Sequence, residues 1–322
     1  MNILVKGNNW LGDAVLSLPM LRSLKTMFPN GRVAVLTKPS LADLYRGAPY
    51  VDETLPERRG SPGAWWSTIR EIRRRGFDAA LVLPRSFRAA FLIWMAGIPR
   101  RIGYGAGRGA LLTDRVRPLE GRLHRAHRYH HLLSALGAPP PIQPPRLELL
   151  PEAVRWAQEE LPGGPWVGLH PGATYGAAKQ WLPERFAELG RRLGTSARVA
   201  VVGGPGEEEL GSRVAREAGA ARCLAGRTTL PQLAAALARC RLFVTNDTGP
   251  MHVADALGVP IVAVFGPTDW IETPPFGPRH RLVRRPVPCS PCLARTCPLG
   301  HHECMRSVTV DEVERACREF LT

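Results

Sequence analysis

The chain of 322 residues carries 43 lysines and arginines against 28 aspartates and glutamates, a formal net charge of +15, with 44% hydrophobic and 22% charged residues. That composition excludes a disordered or fibrous chain, and the length points to two domains. Residues 1–150 hold 23 basic and 10 acidic side chains while residues 151–322 hold 20 and 18, so the excess is +13 in one half and +2 in the other.

Taken in order, the first half alternates strand and helix. A strand is predicted over 2–6 and a helix over 13–27, with Ala14, Leu18, Leu21 and Leu24 at helical spacing; a strand over 32–36, a helix over 65–75, a strand over 79–83 and a helix over 88–96 follow. A His-rich helix over 124–136 precedes five prolines between 139 and 145, which interrupt regular structure and mark the interdomain linker. The second half reads as strand 166–169, helix 183–193, strand 198–202, helices 207–218 and 230–238, strand 242–245, helix 250–257 and strand 261–265. Short Val-rich runs between helices predict parallel sheets with both faces covered. The expected architecture is α/β, with two Rossmann-like lobes, residues 1–145 and 146–322, the second carrying a Cys-rich tail and a C-terminal helix. Ligands are expected in an interdomain cleft lined by strand-end loops. No apolar run approaches the ~18 residues of a membrane span, and the start lacks the regions of a signal peptide, which predicts a cytoplasmic protein. Seven cysteines there do not read as a disulfide framework.

Each informative motif sits where a strand ends. After the first strand, Lys6 to Asp13 turns the chain into a helix; Asp13 reads as its N-cap, as a carboxylate able to take a proton from a substrate hydroxyl, or as both. In the stretch from His170 to Trp181, small residues let backbone amides approach an anion, Thr174 offers a hydroxyl, and Lys179, the only lysine after residue 150, offers charge. It lacks Walker A spacing, and a plain surface loop is the competing reading. Gly203 to Glu209 joins a glycine-rich strand end to an acid cluster at a helix start, where acids serve the dipole or one of them takes a ribose. Most specific is Thr245 to Gly258: Thr248, Gly249 and Pro250 form a helix N-terminus suited to an anion, with His252 on its first turn. Asp247 is out of place beside an anion unless it meets a sugar hydroxyl or braces the turn.

The segments GNNWLGDAVLSLPML, HPGATYGAAKQW and TNDTGPMHVADALGVPIVAVFGPTD resemble the ADP-heptose:lipopolysaccharide heptosyltransferases of glycosyltransferase family 9, and the tail from Cys289 to Met305 is similar to the heptosyltransferase II branch. The resemblance implies a GT-B fold and metal-independent, inverting transfer of heptose from ADP-heptose to an inner-core acceptor, with no cofactor. It implies Asp13 as general base, Thr174 and Lys179 on the diphosphate with Lys179 also assisting catalysis, and Glu207 on the adenosine ribose. Thr248, Gly249 and His252 would grip phosphate, Asp247 the heptose hydroxyls, and Asn9, Trp10, Gly12 and Arg85 would lie on the acceptor side. Where the family pattern often has threonine after Thr174, this chain has Tyr175, a departure at that phosphate contact. The expected partners are an ADP-sugar, an anionic glycolipid and, peripherally, the inner face of the cytoplasmic membrane, with the charge of residues 1–150 serving the acceptor. Other readings are a family 9 enzyme with a different NDP-sugar or acceptor, a nucleotide-sugar epimerase, and a nucleic-acid-binding protein; against the last, no recognition-helix, RRM or zinc-finger pattern is present.

Three further signals carry less. Cys289, Cys292, Cys297 and Cys304 open with metal-like C-x2-C spacing, but the second half lacks a matching pair, so a zinc site competes with a packed thiol-rich loop. His124, His127 and His131 share a helix face with Arg122, Arg125 and Arg128; no carboxylate is near in sequence, and the face reads as solvated and positive. The glycines at 103, 105, 107 and 109 lack the dinucleotide form and read as a flexible loop.

Overall fold

A computed structural model describes residues 1–321. Short apolar segments, each followed by a helix, place their strands side by side in one direction because a right-handed crossover returns the chain to the same edge. In the N-terminal unit these are β1 (Ile3–Lys6), β2 (Val33–Thr37), β3 (Glu53–Pro56), β4 (Ala79–Val82), β5 (Arg100–Tyr104) and β6 (Asp114–Val116). Their order is β3-β2-β1-β4-β5-β6, and every pair is parallel. The C-terminal unit repeats the pattern with β7 (Trp166–His170), β8 (Arg198–Val201), β9 (Arg222–Cys223), β10 (Cys240–Asn246), β11 (Ile261–Phe265) and β12 (His280–Arg284), ordered β12-β11-β10-β7-β8-β9. The predicted parallel, doubly covered sheets are therefore present in both halves. In such a sheet the winding reverses between the first and fourth strands, and the loops leaving the carboxyl ends of those two strands open a crevice. Here they follow β1 and β4 in one unit and β7 and β10 in the other.

The units are compact in themselves, one comprising Met1–Glu148 and the next starting at Leu149. The proline-rich stretch has neither helix nor strand. It is held to the first unit, since Tyr50 donates to the Arg146 carbonyl (2.8 Å) and the Glu148 amide donates to Gly47 (2.8 Å). Each unit has its own core: Leu4, Ala34, Ile69, Ala80, Leu92 and Ile93 in the first, and Val167, Phe186, Val201, Val244, Val264 and Val313 in the second. Among the described residues no helix is long and apolar enough to cross a membrane.

Several expectations change. The helix expected over 13–27 is two, Leu11–Leu16 and Leu18–Met27. Pro19 at the start of the second has no N–H for an upstream carbonyl, so the chain breaks at Ser17, whose hydroxyl donates to Ala14 O at 2.7 Å. Asp13 is consequently not an N-cap; Trp10 holds that position and Asp13 lies in the first turn. The His-rich helix stops at His131 and continues as a 3-10 turn, Leu132–Ala135. Gly103 belongs to β5 rather than to a loop.

Candidate active site

In the N-terminal unit, the loop after β1 and the helix Arg125–His131 meet at Asp13. Its Oδ1 accepts from Arg125 Nη1 (3.0 Å) and from the Tyr129 hydroxyl (2.9 Å). Arg125 and Tyr129 are four residues apart, so one helix face delivers both donors. Burial, and then the adjacent Asp13 charge, raise the Tyr129 phenol far above its ordinary pKa, so it remains a donor. Arg125 is thus committed to a carboxylate 112 residues away rather than simply solvated, and its helix starts at His124, whose Nδ1 caps the Ala126 amide. Beneath this loop Lys6 is buried; its Nζ donates to Gly7 O (2.7 Å) and lies 3.4 Å from Glu57, and burial brings its pKa down to about 8 against the pull of Glu57. Arg59 joins Glu57 to Asn9 Oδ1 (2.7 Å). Trp10 is exposed, with Lys38 6.0 Å from its ring centroid. Gly12 lies in the first helical turn. Arg85 is exposed in the loop after β4. That loop is held by the buried Arg108, which donates to the carbonyls of Val82, Pro84, Ser86 and Tyr104.

In the C-terminal unit, the loops after β7 and β10 are bolted together. Asn246, fully buried at the end of β10, accepts from the Trp181 amide (2.9 Å) and donates to the carbonyls of Pro171 and Gly172 (3.0 Å each), closing the 171–181 loop at both ends. Lys179 Nζ donates to the Asp247 side chain at 2.8 Å and to its carbonyl at 3.1 Å, and stands 4.9 Å from the Tyr175 ring centroid. Asp247 is therefore neutralised within the seat, which answers how a carboxylate tolerates that place. Thr248 precedes the helix Gly249–Ala256 without capping it; its hydroxyl turns instead to His170 Nδ1 (3.1 Å) and Thr245 (3.2 Å), leaving the first-turn amides for an outside acceptor. His252 is buried on that turn, whereas Thr174 is exposed at the loop tip.

His170 links these loops to the third motif. Its Nε2 donates to Glu207 Oε2 (3.0 Å), which also accepts from the Gly204 amide (2.7 Å). Burial pushes the Glu207 carboxyl up, but the hydrogen bond and charge of His170 and the Gly204 amide outweigh it and hold the group below its ordinary range. Its second oxygen, Oε1, is buried and has no hydrogen-bond partner among the described residues. A Cβ on Gly172 would come within 2.1 Å of that oxygen, so glycine is required for this carboxylate to enter the site.

The Cys-rich tail wraps the Lys179 loop. Tyr175 donates to Leu293 O (2.8 Å), the Ala178 amide donates to Arg295 O (3.0 Å), and His302 Nε2 donates to Ala178 O (2.9 Å). A Cβ at Gly176 would lie 2.3 Å from Arg295 O. Cys289, Cys292, Cys297 and Cys304 line one pocket with His301 and His302. All four are free thiols, and among the described residues no three His, Cys, Asp or Glu side chains stand where together they could hold a metal ion.

The profile of glycosyltransferase family 9 (heptosyltransferase) matches residues 65–303, well over half of the chain. The chain belongs to glycosyltransferase family 9. Lipopolysaccharide heptosyltransferase 2 of Escherichia coli K12 is 32% identical to this family 9 transferase over 311 residues, 88% of either chain. Its counterpart in Salmonella typhimurium is 30% identical over 349 residues, covering 100% of this chain and 99% of that one. The solved structure of E. coli ADP-heptose LPS heptosyltransferase II superposes with a TM-score of 0.85 at 29% identity, covering 100% of this chain and 98% of that one. Both six-stranded parallel sheets thus belong to a GT-B-type α/β fold, as the sequence predicts. Sequence reasoning missed four positioning residues of the transferase: Arg125 and Tyr129, His170, and Asn246. The i, i+4 spacing of the first pair was the one available signal; His170 and Asn246 stood inside the quoted motifs with nothing to show which way they faced.

Proposed function

We propose that this glycosyltransferase moves a heptose unit from ADP-heptose to the inner core of lipopolysaccharide, with inversion at the anomeric carbon and without a metal ion. The observation that carries the reading is the paired seat after β7 and β10: a cation, Lys179, and an uncapped helix start lie together at the switch point of the second sheet, where a diphosphate is favoured. The ADP-heptose donor is named by the 29% identical solved structure, and lipopolysaccharide by the curated relatives.

In this reading Lys179, His252 and the amides around Gly249 hold the diphosphate. Glu207 takes a ribose hydroxyl, and Asp247, held by Lys179, faces the heptose hydroxyls. Thr174 reaches phosphate from the exposed tip, and Tyr175, placed against Lys179 and the tail, shapes the loop in place of the family's second hydroxyl. As the bond from the anomeric carbon to the diphosphate oxygen breaks, charge grows on ADP and those donors absorb it. The acceptor hydroxyl oxygen bonds to the opposite face of that carbon and its proton passes to Asp13. Both hydrogen bonds to Asp13 use Oδ1, so Oδ2 is the oxygen offered to the hydroxyl. Asn9, Trp10, Gly12 and Arg85 belong to the acceptor side, and the enzyme works in the cytoplasm, peripheral to the inner membrane face.

A panel of ADP- and UDP-sugars tested for protection against thermal unfolding checks the donor. ADP compounds protect in this account, and a preference for UDP compounds contradicts it. Dialysis against a chelator leaves the transfer rate unchanged; a loss restored by one divalent ion would overturn metal independence.

A further inference from the structure

The helices Pro62–Arg75 and Phe87–Met95, which follow β3 and β4, carry a run of aromatic rings. Trp66 packs edge-on against Trp65 (centroids 5.5 Å apart), Trp65 stacks on Phe91 (5.7 Å), and Phe91 stacks on both Phe87 (5.8 Å) and Trp94 (5.7 Å). Phe87, Phe91 and Trp94 recur at i, i+4 and i+7, one helix face. Only the inner members are anchored, Trp65 lying on the core beside Met95. The outer rings stand in the open, with Trp66 43%, Phe87 60% and Trp94 45% exposed. A contiguous exposed face of large rings marks an interaction site rather than ordinary surface.

Its surroundings identify the partner's chemistry. The two helices bring five arginines (Arg70, Arg73, Arg74, Arg75 and Arg88); Arg74 pairs with Glu71 and Arg75 with Glu71 and Glu53, which leaves Arg70, Arg73 and Arg88 for the rim. Arg70 is one turn from Trp66, Arg73 reaches the Met95 carbonyl at the end of the second helix, and Arg58 donates to Ser67 beside Trp66. Rings flanked by unneutralised guanidinium groups match a surface that is apolar just below a negatively charged plane. Tryptophan and arginine both settle at that boundary, body in the apolar layer and polar tip in water. A soluble acidic protein would answer the arginines but leave the rings wet, and an apolar protein face would bury the charges.

We propose that this aromatic face with its arginine rim docks on an anionic phospholipid bilayer. The inference rests on the reading of a glycolipid acceptor and specifies where the lipid surface meets the chain. Trp65 and Phe87 lie in first turns and Trp66 just after one, hence toward the carboxyl edge of the sheet, the edge that also carries Asp13, while Trp94 extends the face to the far end of its helix. The connection is direct: Arg59, in the loop entering the first helix, donates to Asn9 in the Asp13 loop. A bilayer on this face brings acceptor headgroups to the edge where the proton is removed.

Co-sedimentation of the full chain with vesicles of phosphatidylglycerol and phosphatidylcholine, or of phosphatidylcholine alone, tests this, alongside transfer to a soluble, delipidated core acceptor. The wild type partitions onto the phosphatidylglycerol vesicles and largely leaves them as salt rises from about 0.1 M to about 1 M. Replacing Trp66, Phe87 and Trp94 together with serine, all at exposed positions, lowers partition at least tenfold. The pair Arg70→Glu and Arg88→Glu lowers it similarly. Both variants transfer to the soluble acceptor as the wild type does. Wild-type chain that ignores anionic vesicles, or a serine variant that binds them equally, overturns the docking face while soluble transfer leaves the acceptor reading standing. A dimer in solution that only the serine variant abolishes would assign the face to a second copy and also overturn it. Loss of soluble transfer in wild type as well sinks the acceptor reading itself.

Discussion

Lys179 and Asp247 neutralise one another at 2.8 Å, both largely buried, so neither is an ordinary surface charge. Removing one partner of such a pair leaves the other buried and uncompensated. Lys179→Met is therefore expected to lower stability by about 3 kcal/mol and to raise the donor KM at least tenfold, since a bare carboxylate then faces the diphosphate. Adding Asp247→Asn recovers most of the stability without recovering donor binding; chemical denaturation and KM, measured on both variants, separate the two effects. Glu207 adds a pH dependence. Its carboxyl sits lower in the fold than its ordinary 4.5 because His170 and the Gly204 amide outweigh burial. The unfolded chain therefore binds that proton more tightly. The stabilisation is full above the ordinary value and fades as pH falls through the folded one. Unfolding followed from pH 6 down to about 3 should show the wild type losing more stability than Glu207→Gln; equal losses would contradict the assigned His170 contact.

At the level of elements, the loops matter through how they are pinned. Asn246 alone satisfies three backbone groups of the 171–181 loop, so Asn246→Ala strands buried polar groups at about 1–3 kcal/mol and raises the donor KM more than it lowers kcat. Thermal denaturation with donor titration checks this, and an unchanged KM would remove Asn246 as the clamp. The same elements show what was legible beforehand. Val-rich strands such as Ile261–Phe265 and amphipathic helices such as Pro183–Leu193 were readable to the residue because both periodicity and boundaries were strong. Strands β3, β5, β6 and β12 were not, since ETLP, RRIGY, DRV and HRLVR are short or charged and partly exposed, and only tertiary pairing makes them strands. The motif loops mark candidate residues but not the partners those residues find in the fold. Asp13 pairs with Arg125 across 112 positions and Lys179 with Asp247 across 68, distances that no local pattern encodes.

Across the whole molecule, the charge imbalance of the sequence divides between the two units. The N-terminal one carries nearly all of the +15 along with the aromatic face and Asp13, and the C-terminal one, close to neutral, carries the Lys179–Asp247 pair. In the proposed reading donor binding and proton removal separate by unit, so one comparison tests both. Transfer of heptose from ADP-heptose is measured for the wild type and Asp13→Ala, with ADP affinity determined on the same preparations. With Asp13 as the base, kcat falls about 10²–10⁴-fold and ADP affinity stays nearly unchanged; near-normal turnover in Asp13→Ala would remove Asp13 from that role.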